Sequence, residues 1–232
     1  MTHNKWLLYK LLNVTMITIC VLSFSLSETQ IALGGYQPPR DQKSPSGYSD
    51  SSGVRGGCKA TGRERLRLLA PLTHVGQTTS PRPTLAWLAP HDQTLLIEFS
   101  LYEFDINLKP KKLNIYTRRL TTTPGIMKLS LPQNLPGLKV GKRYLWQLQT
   151  LCDTHRPSRN PFTRAEIEVV HTPQTLLTAL SRTQEPSQKA HFYAEAGIWY
   201  DALNEVLPPT PNRQLLRIFT SLLTDLAKFE QP

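Results

Sequence analysis

The sequence predicts an α+β chain: an antiparallel β-sandwich over residues 58–171, followed by a small helical region over 172–232. Three observations carry this reading. Seven short segments between about 63 and 169 repeat apolar residues at every second position, separated by Pro, Gly, Asn and Lys turns. That density of short alternating segments is the pattern of two antiparallel sheets, each with one buried face. A Leu-x-x-Gly-x-x-Tyr spacing at Leu138, Gly141 and Tyr144 marks a corner leading into a strand. After His171 the apolar period changes from two to between three and four, which is the helical period.

The segments follow in order. Leu66, Leu68 and Ala70 alternate with Arg63, Arg65 and Arg67. "PTLAWLAP" is a short apolar run bounded by prolines, and "TLLIEFSLYEF" sets Leu95, Ile97, Phe99 and Leu101 on one face. "KLNIYTRR" sets Leu113, Ile115 and Thr117 on one face, and "GIMKLSLP" does so with Met127, Leu129 and Leu131. "LKVGKRYLWQLQTLCD" places Tyr144, Trp146, Leu148, Thr150 and Cys152 two apart. Last, Ala165, Ile167 and Val169 alternate with Arg164, Glu166 and Glu168. The Leu138/Gly141/Tyr144 spacing resembles the tyrosine corner of fibronectin/immunoglobulin-like sandwiches, in which the tyrosine hydroxyl bonds back to nearby backbone. Cys152 lies eight residues beyond the tyrosine rather than two, so an immunoglobulin-type inter-sheet bond is not expected.

Pro173 suits the first position of a helix and Thr172 its cap. Leu176, Leu177 and Leu180 form a short stripe. Ser187 caps a further run in which Phe192, Ala196, Trp199, Leu203 and Val206 share a helical face. Ala190, Tyr193, Gly197 and Ala202 also match one tetratricopeptide helix pair, which would turn the chain near Gly197. Leu215, Phe219, Leu222, Leu226 and Phe229 define a last amphipathic helix.

The N-terminus has the layout of a secretory signal peptide over residues 1–27. Lys5 and Lys10 lie in a short basic stretch, Leu11 to Leu26 carries no charge, and Ser25 and Ser27 stand at −3 and −1 of a cleavage site. The run falls short of the ~20 apolar residues a membrane span needs, although a retained anchor is the alternative. Bulky Ile19 disfavours lipid attachment at Cys20. Cleavage removes two lysines and no acid, taking the formal charge from +10 to +8. It also leaves two cysteines, Cys58 and Cys152. An even pair in an exported chain reads as one disulfide, with two buried thiols as the alternative. Residues 28–57, rich in Gly, Ser and Pro, read as a flexible arm that cannot offset its own ordering entropy.

Several short motifs then occur in a characteristic order: "RGGC" at 55–58, "RPTLAW" at 82–87, "PGIMKLSLP" at 124–132, the segment at 138–153, and "FYAEAGIWYDAL" at 192–203. Together they resemble the cyanobacterial domain-of-unknown-function family numbered 928, over roughly residues 55–230. The resemblance implies an exported protein of a photosynthetic bacterium. It supplies no activity and no catalytic residues.

Chemistry is sparse. Cys152 and His155 have a C-x-x-H spacing, but no second pair completes the four ligands of a structural zinc site. His91-Asp92 lacks the G-x-S-x-G context of a hydrolase, and His191 with Glu195 is half of an H-E-x-x-H motif. No phosphate-binding glycine loop is present, and no cofactor is expected. The cations are the strongest lead. Arg63, Arg65 and Arg67 line the first strand, Lys109, Lys111, Lys112, Arg118 and Arg119 bracket a hairpin, and Lys139, Lys142 and Arg143 flank the corner. Outside the cytoplasm such a face suits an acidic polysaccharide, lipid head groups or an acidic protein rather than nucleic acid. The competing reading is a solvated face with edge-strand protection. The expectation is a non-catalytic envelope module that binds a protein or acidic glycan, with no transmembrane segment after the signal is removed. An exported hydrolase built from separated residues is the alternative.

Overall fold

The computed structural model describes residues 35–48, 50–53, 66–153 and 155–230. The expected signal peptide, Cys58, Arg63 and Arg65 therefore lie outside the described residues. Among the described residues the strands are β1 (Asp50–Gly53), β2 (Arg67–Leu68), β3 (Gly76–Thr78), β4 (Leu85–Ala89), β5 (Leu96–Glu103), β6 (Tyr116–Thr121), β7 (Gly125–Leu129), β8 (Arg143–Thr150) and β9 (Phe162–Val169). The helices are α1 (Gln174–Leu180), α2 (Pro186–Glu195), α3 (Trp199–Val206) and α4 (Arg213–Phe229). The fold is α+β.

The larger sheet has the order β1-β9-β8-β5-β6, with β3 added parallel to β9, and the smaller has the order β2-β4-β7. The alternation in the sequence explains the pairing. Ile97, Phe99 and Leu101 of β5 stand beside Thr150, Leu148 and Trp146 of β8. Trp146 in turn stands beside Ala165 of β9. All of them are buried, and all but Thr150 belong to one apolar cluster with Trp87 and Leu85 of β4. Burying a Leu, Ile or Phe side chain contributes about 1.5–3 kcal/mol before the entropy of ordering it is charged.

Four expectations need correction. The first concerns the arm. Residues 35–48 form a strap, and residues 50–53 extend the larger sheet along β9. Tyr36 is 2% exposed, with its ring edge-on to Trp199 at 4.9 Å and its hydroxyl 2.7 Å from His74 Nε2. The Gln37 amide donates to the Ala194 carbonyl. Lys43 pairs with Glu168 at 2.6 Å, and both the amide and the hydroxyl of Ser46 donate to Glu166. Composition predicted a flexible arm with almost nothing to bury, but one tyrosine and two glutamates on the facing strand anchor its described part.

The second concerns β6, which starts at Tyr116 rather than near Leu113. Tyr116, Arg118 and Leu120 stand opposite Leu101, Phe99 and Ile97, so the inward face is shifted by one residue. A one-residue slip exchanges every side chain between faces. The third concerns α2, which begins at Pro186, so Ser187 lies inside it, buried, instead of capping it.

The fourth concerns the helices, which are not a separate subdomain. Trp199, Tyr200, Leu203, Ile218 and Leu222 belong to the same buried cluster as the strands. The Trp199 indole donates to the Leu69 carbonyl at 2.9 Å, and the Trp146 indole donates to the Tyr200 hydroxyl at 3.0 Å. The chain does break at Gly197. It has φ +77, and a Cβ there would lie 2.8 Å from the backbone nitrogen of Pro39 in the strap. Phe192 and Trp199 thus sit on two different helices, α2 and α3.

Candidate functional site

Among the described residues, Arg67, Arg118 and Arg119 do not share one face, and Arg63 and Arg65 lie outside the described residues. Arg67 is exposed on β2 in the smaller sheet, and β2 packs near β9. Arg118 and Arg119 lie on β6, three strands from β9 in the larger sheet and so about 14 Å away across it. Arg119 pairs with Glu98 at 2.8 Å on the outer face. Arg118 stands opposite Phe99 on an edge strand, where an inward-directed charge discourages pairing with another chain.

A smaller group of cations does converge. Glu103 is the register partner of Tyr144, and the Phe104 amide donates to the Arg143 carbonyl at 3.0 Å. The β5–β6 loop therefore lies beside the turn at 139–142. This end of the sheet carries Lys109, Lys111, Lys112, Lys139 and Lys142, all exposed. It also carries exposed aliphatic side chains: Ile106 is 96% exposed and Leu113 is 85% exposed, with Leu108 and Val140 about half so.

Both segments are held firmly. Asp105 Oδ1 accepts from the amides of Asn107 at 2.8 Å and Lys109 at 2.9 Å, while its own amide donates to the Lys109 carbonyl. Phe104 and Pro110 form an isolated bridge, and Lys111 Nζ lies 2.7 Å from Glu103. In the neighbouring turn the Lys139 amide donates to the Tyr144 hydroxyl at 2.9 Å. Leu138 and Tyr144 are buried, and Gly141, at φ +77, donates its amide to Val169. Burial raises the Tyr144 phenol, opposed by that amide bond, so it stays neutral. The sequence signalled the lysines. It did not signal the bared aliphatics, because Leu113 matched an alternating strand.

A second feature was not anticipated. A cavity of about 210 Å³ is lined by Ser80, Arg82, Thr84, Tyr193, Asp201 and Glu205 among others. Asp201 and Glu205, one turn apart on α3, bring two carboxyls to it. Asp201 is buried and accepts from Thr78 Oγ1 at 2.5 Å, the Thr79 amide at 3.1 Å and Thr79 Oγ1 at 2.8 Å. Burial raises its carboxyl against the pull of those bonds. Glu205 is raised by burial and by Asp201, and lowered by Lys189. Burial pushes the Tyr193 phenol up to about 12. Arg82 is committed elsewhere, to the carbonyls of Pro132, Gln133 and Leu135. A carboxyl four residues before another on a helix was the only available signal, and it is a weak one.

Among the described residues the histidines are dispersed. His74 is buried against Tyr36, whereas His91 and His155 are exposed. His191 Nε2 lies 3.4 Å from Glu195. Among the described residues no three His, Cys, Asp or Glu side chains are grouped to hold a metal ion. Trp199 and Tyr200 are fully buried, so they belong to the core. Among the described residues no helix is long and apolar enough to cross a membrane.

The fold and these sites define a β-rich α+β domain with interlocked helices and a cationic loop end. The family profile described as Domain of Unknown Function (DUF928) matches residues 50–230, and the chain belongs to that family. No curated protein matches. Among solved structures four chains match. One is described as Astrotactin-2, a conserved vertebrate-specific, perforin-like membrane protein involved in neuronal development. It aligns at 12% identity and a TM-score of 0.28 over 68% of this chain and 35% of that one. The chain thus spans about a third of that protein, and at that TM-score the likeness assigns no fold.

Proposed function

We propose that this chain is an exported, non-catalytic envelope module that binds an acidic glycan or protein partner through the loop end bearing Lys109, Lys111, Lys112, Lys139 and Lys142. The observation that carries the reading is the convergence of these exposed cations from two separate loops onto one end of the larger sheet. The acids that tie the fold together support it from the other side. Glu166, Glu168, Asp201 and Glu230 each join sequence-distant segments, to Ser46, Lys43, Thr78 with Thr79, and Leu72 with Thr73 respectively. Retention of the mature chain on a sulfated polyanion resin tests it. Elution should move to lower salt in Lys109→Ala/Lys112→Ala/Lys142→Ala, and retention insensitive to salt would refute it.

The architecture proposed for this module is a fibronectin-like sandwich. Its support is the order β2-β4-β7 in one sheet and β6-β5-β8-β9 in the other, together with the Tyr144 hydroxyl bond at the corner. The proposed clasp is a Cys58–Cys152 disulfide. β1 runs toward the β8–β9 turn, and Gly53 pairs with Phe162, itself paired with Gln149. Two strand spacings, about 10 Å, separate the ends of β1 and β8. The five residues from Gly53 to Cys58 reach at most about 18 Å, which is enough. Thiol labelling of the unfolded, unreduced mature chain should find no free cysteine. N-terminal sequencing should place its first residue near Glu28.

The cavity favours a second reading, an exported hydrolase using Glu205 as general acid, since its raised carboxyl suits that role. It requires turnover of an activated ester or glycoside that Glu205→Gln abolishes.

A further inference from the structure

We propose that the acidic partner is a lipid surface: the β5–β6 loop and the 139–142 turn dock on an anionic bilayer, inserting Ile106 and Leu113 among head groups held by the surrounding lysines. This rests on the reading of that end as the binding site. What selects a membrane over a glycan or an acidic protein is the pairing of two chemistries in one place. Ile106 is 96% exposed and Leu113 85% exposed, and both sit within a few residues of Lys109, Lys111 and Lys112. An acidic polysaccharide offers charge but little apolar surface to cover two bared aliphatic side chains. The boundary between head groups and acyl chains offers both.

Slack in the loop does not explain the exposure. Asp105 binds two loop amides, Phe104 bridges Pro110, and the Lys111 amide donates to the Glu103 carbonyl at 2.9 Å. Leu108 holds φ 54, a conformation that a branched side chain rarely adopts, so the tip is set rather than loose. A preset tip loses little entropy on docking. Both acids present are engaged, Glu103 by Lys111 and Asp105 by the loop amides. Lys109, Lys112, Lys139 and Lys142 are left exposed, on stems long enough to let the ammonium reach a phosphate while the aliphatic side chains enter.

The test is flotation of the mature chain with vesicles of phosphatidylcholine alone, or with about a third phosphatidylglycerol. Binding is expected with the anionic vesicles and not with the neutral ones. Ile106→Ser/Leu113→Ser keeps every charge and alters only exposed positions. It should weaken vesicle binding at least about tenfold, the factor that covering one aliphatic side chain supplies, with an unchanged melting temperature. Lys109→Ala/Lys112→Ala/Lys142→Ala should weaken it as well, and more so at low salt. Full vesicle binding by the Ser variant overturns the proposal. Binding to dextran sulfate but not to anionic vesicles overturns it too, while leaving an acidic non-lipid partner standing. Binding to neither overturns both readings.

Discussion

The strap that crosses β9 can be tested through a single methyl group, because two glycines supply a matched pair. Gly197 and Gly141 both have φ +77. A Cβ on Gly141 meets nothing within 4 Å, whereas a Cβ on Gly197 comes to 2.8 Å from Pro39 N and 2.9 Å from Pro39 Cα. Gly141→Ala therefore carries only the cost of a left-handed L-residue, roughly 1–2 kcal/mol. Gly197→Ala carries that same cost plus displacement of the strap backbone, for which overpacking adds roughly 1–3 kcal/mol. A domain of this size loses roughly 2–4 °C of melting temperature per kcal/mol. The expected losses are thus about 2–8 °C for Gly141→Ala and about 4–20 °C for Gly197→Ala. Circular dichroism melts of the protein read both. Proteolysis under native conditions should cut within 35–48 faster in Gly197→Ala than in Gly141→Ala. Equal melting temperatures and equal cleavage would refute the seating of the strap on the α2–α3 turn.

Other outcomes follow from the same geometry. Tyr144→Phe removes the acceptor for the Lys139 amide and should cost about 1 kcal/mol, read as a lower urea midpoint with an unchanged slope. Asp201 binds its proton more tightly folded than unfolded, because burial raises its carboxyl above 3.8. Its contribution is therefore fullest below about pH 3.8 and declines as pH rises through the folded value. Asp201→Asn should then gain on the wild type in urea midpoint as pH rises above about 3.8, and a constant offset would count against the assignment. His74 runs the other way. Burial lowers its imidazole below 6.5, opposed by Glu230, so its contribution is full above that value and is lost as pH falls through the folded one. His74→Gln should flatten the acid limb of the stability curve, and an unaltered limb would place the titration elsewhere.

Local chemistry alone determined much of this protein. Alternation in β5, β8 and β9 sets which face carries Ile97, Phe99, Leu101, Trp146, Leu148, Ala165 and Ile167, and Leu138, Gly141 and Tyr144 lie close enough in sequence to specify their corner. The period of α4 likewise required one apolar stripe, which Leu215, Ile218, Phe219, Leu222 and Leu226 bury. Tertiary structure decided what depends on partners far along the chain. β1 and β3 have no apolar period, and they are strands because β9 offers them an open edge. The polar segment 35–48 is ordered because Glu166, Glu168 and His74 face it from residues 38 to 125 positions away. Leu113 matches a strand, yet the Asp105 turn and the Phe104–Pro110 bridge use up the residues before Tyr116 and leave its side chain in water. Period sets which face of an element is apolar, but only the neighbours that close around it set whether that face is covered.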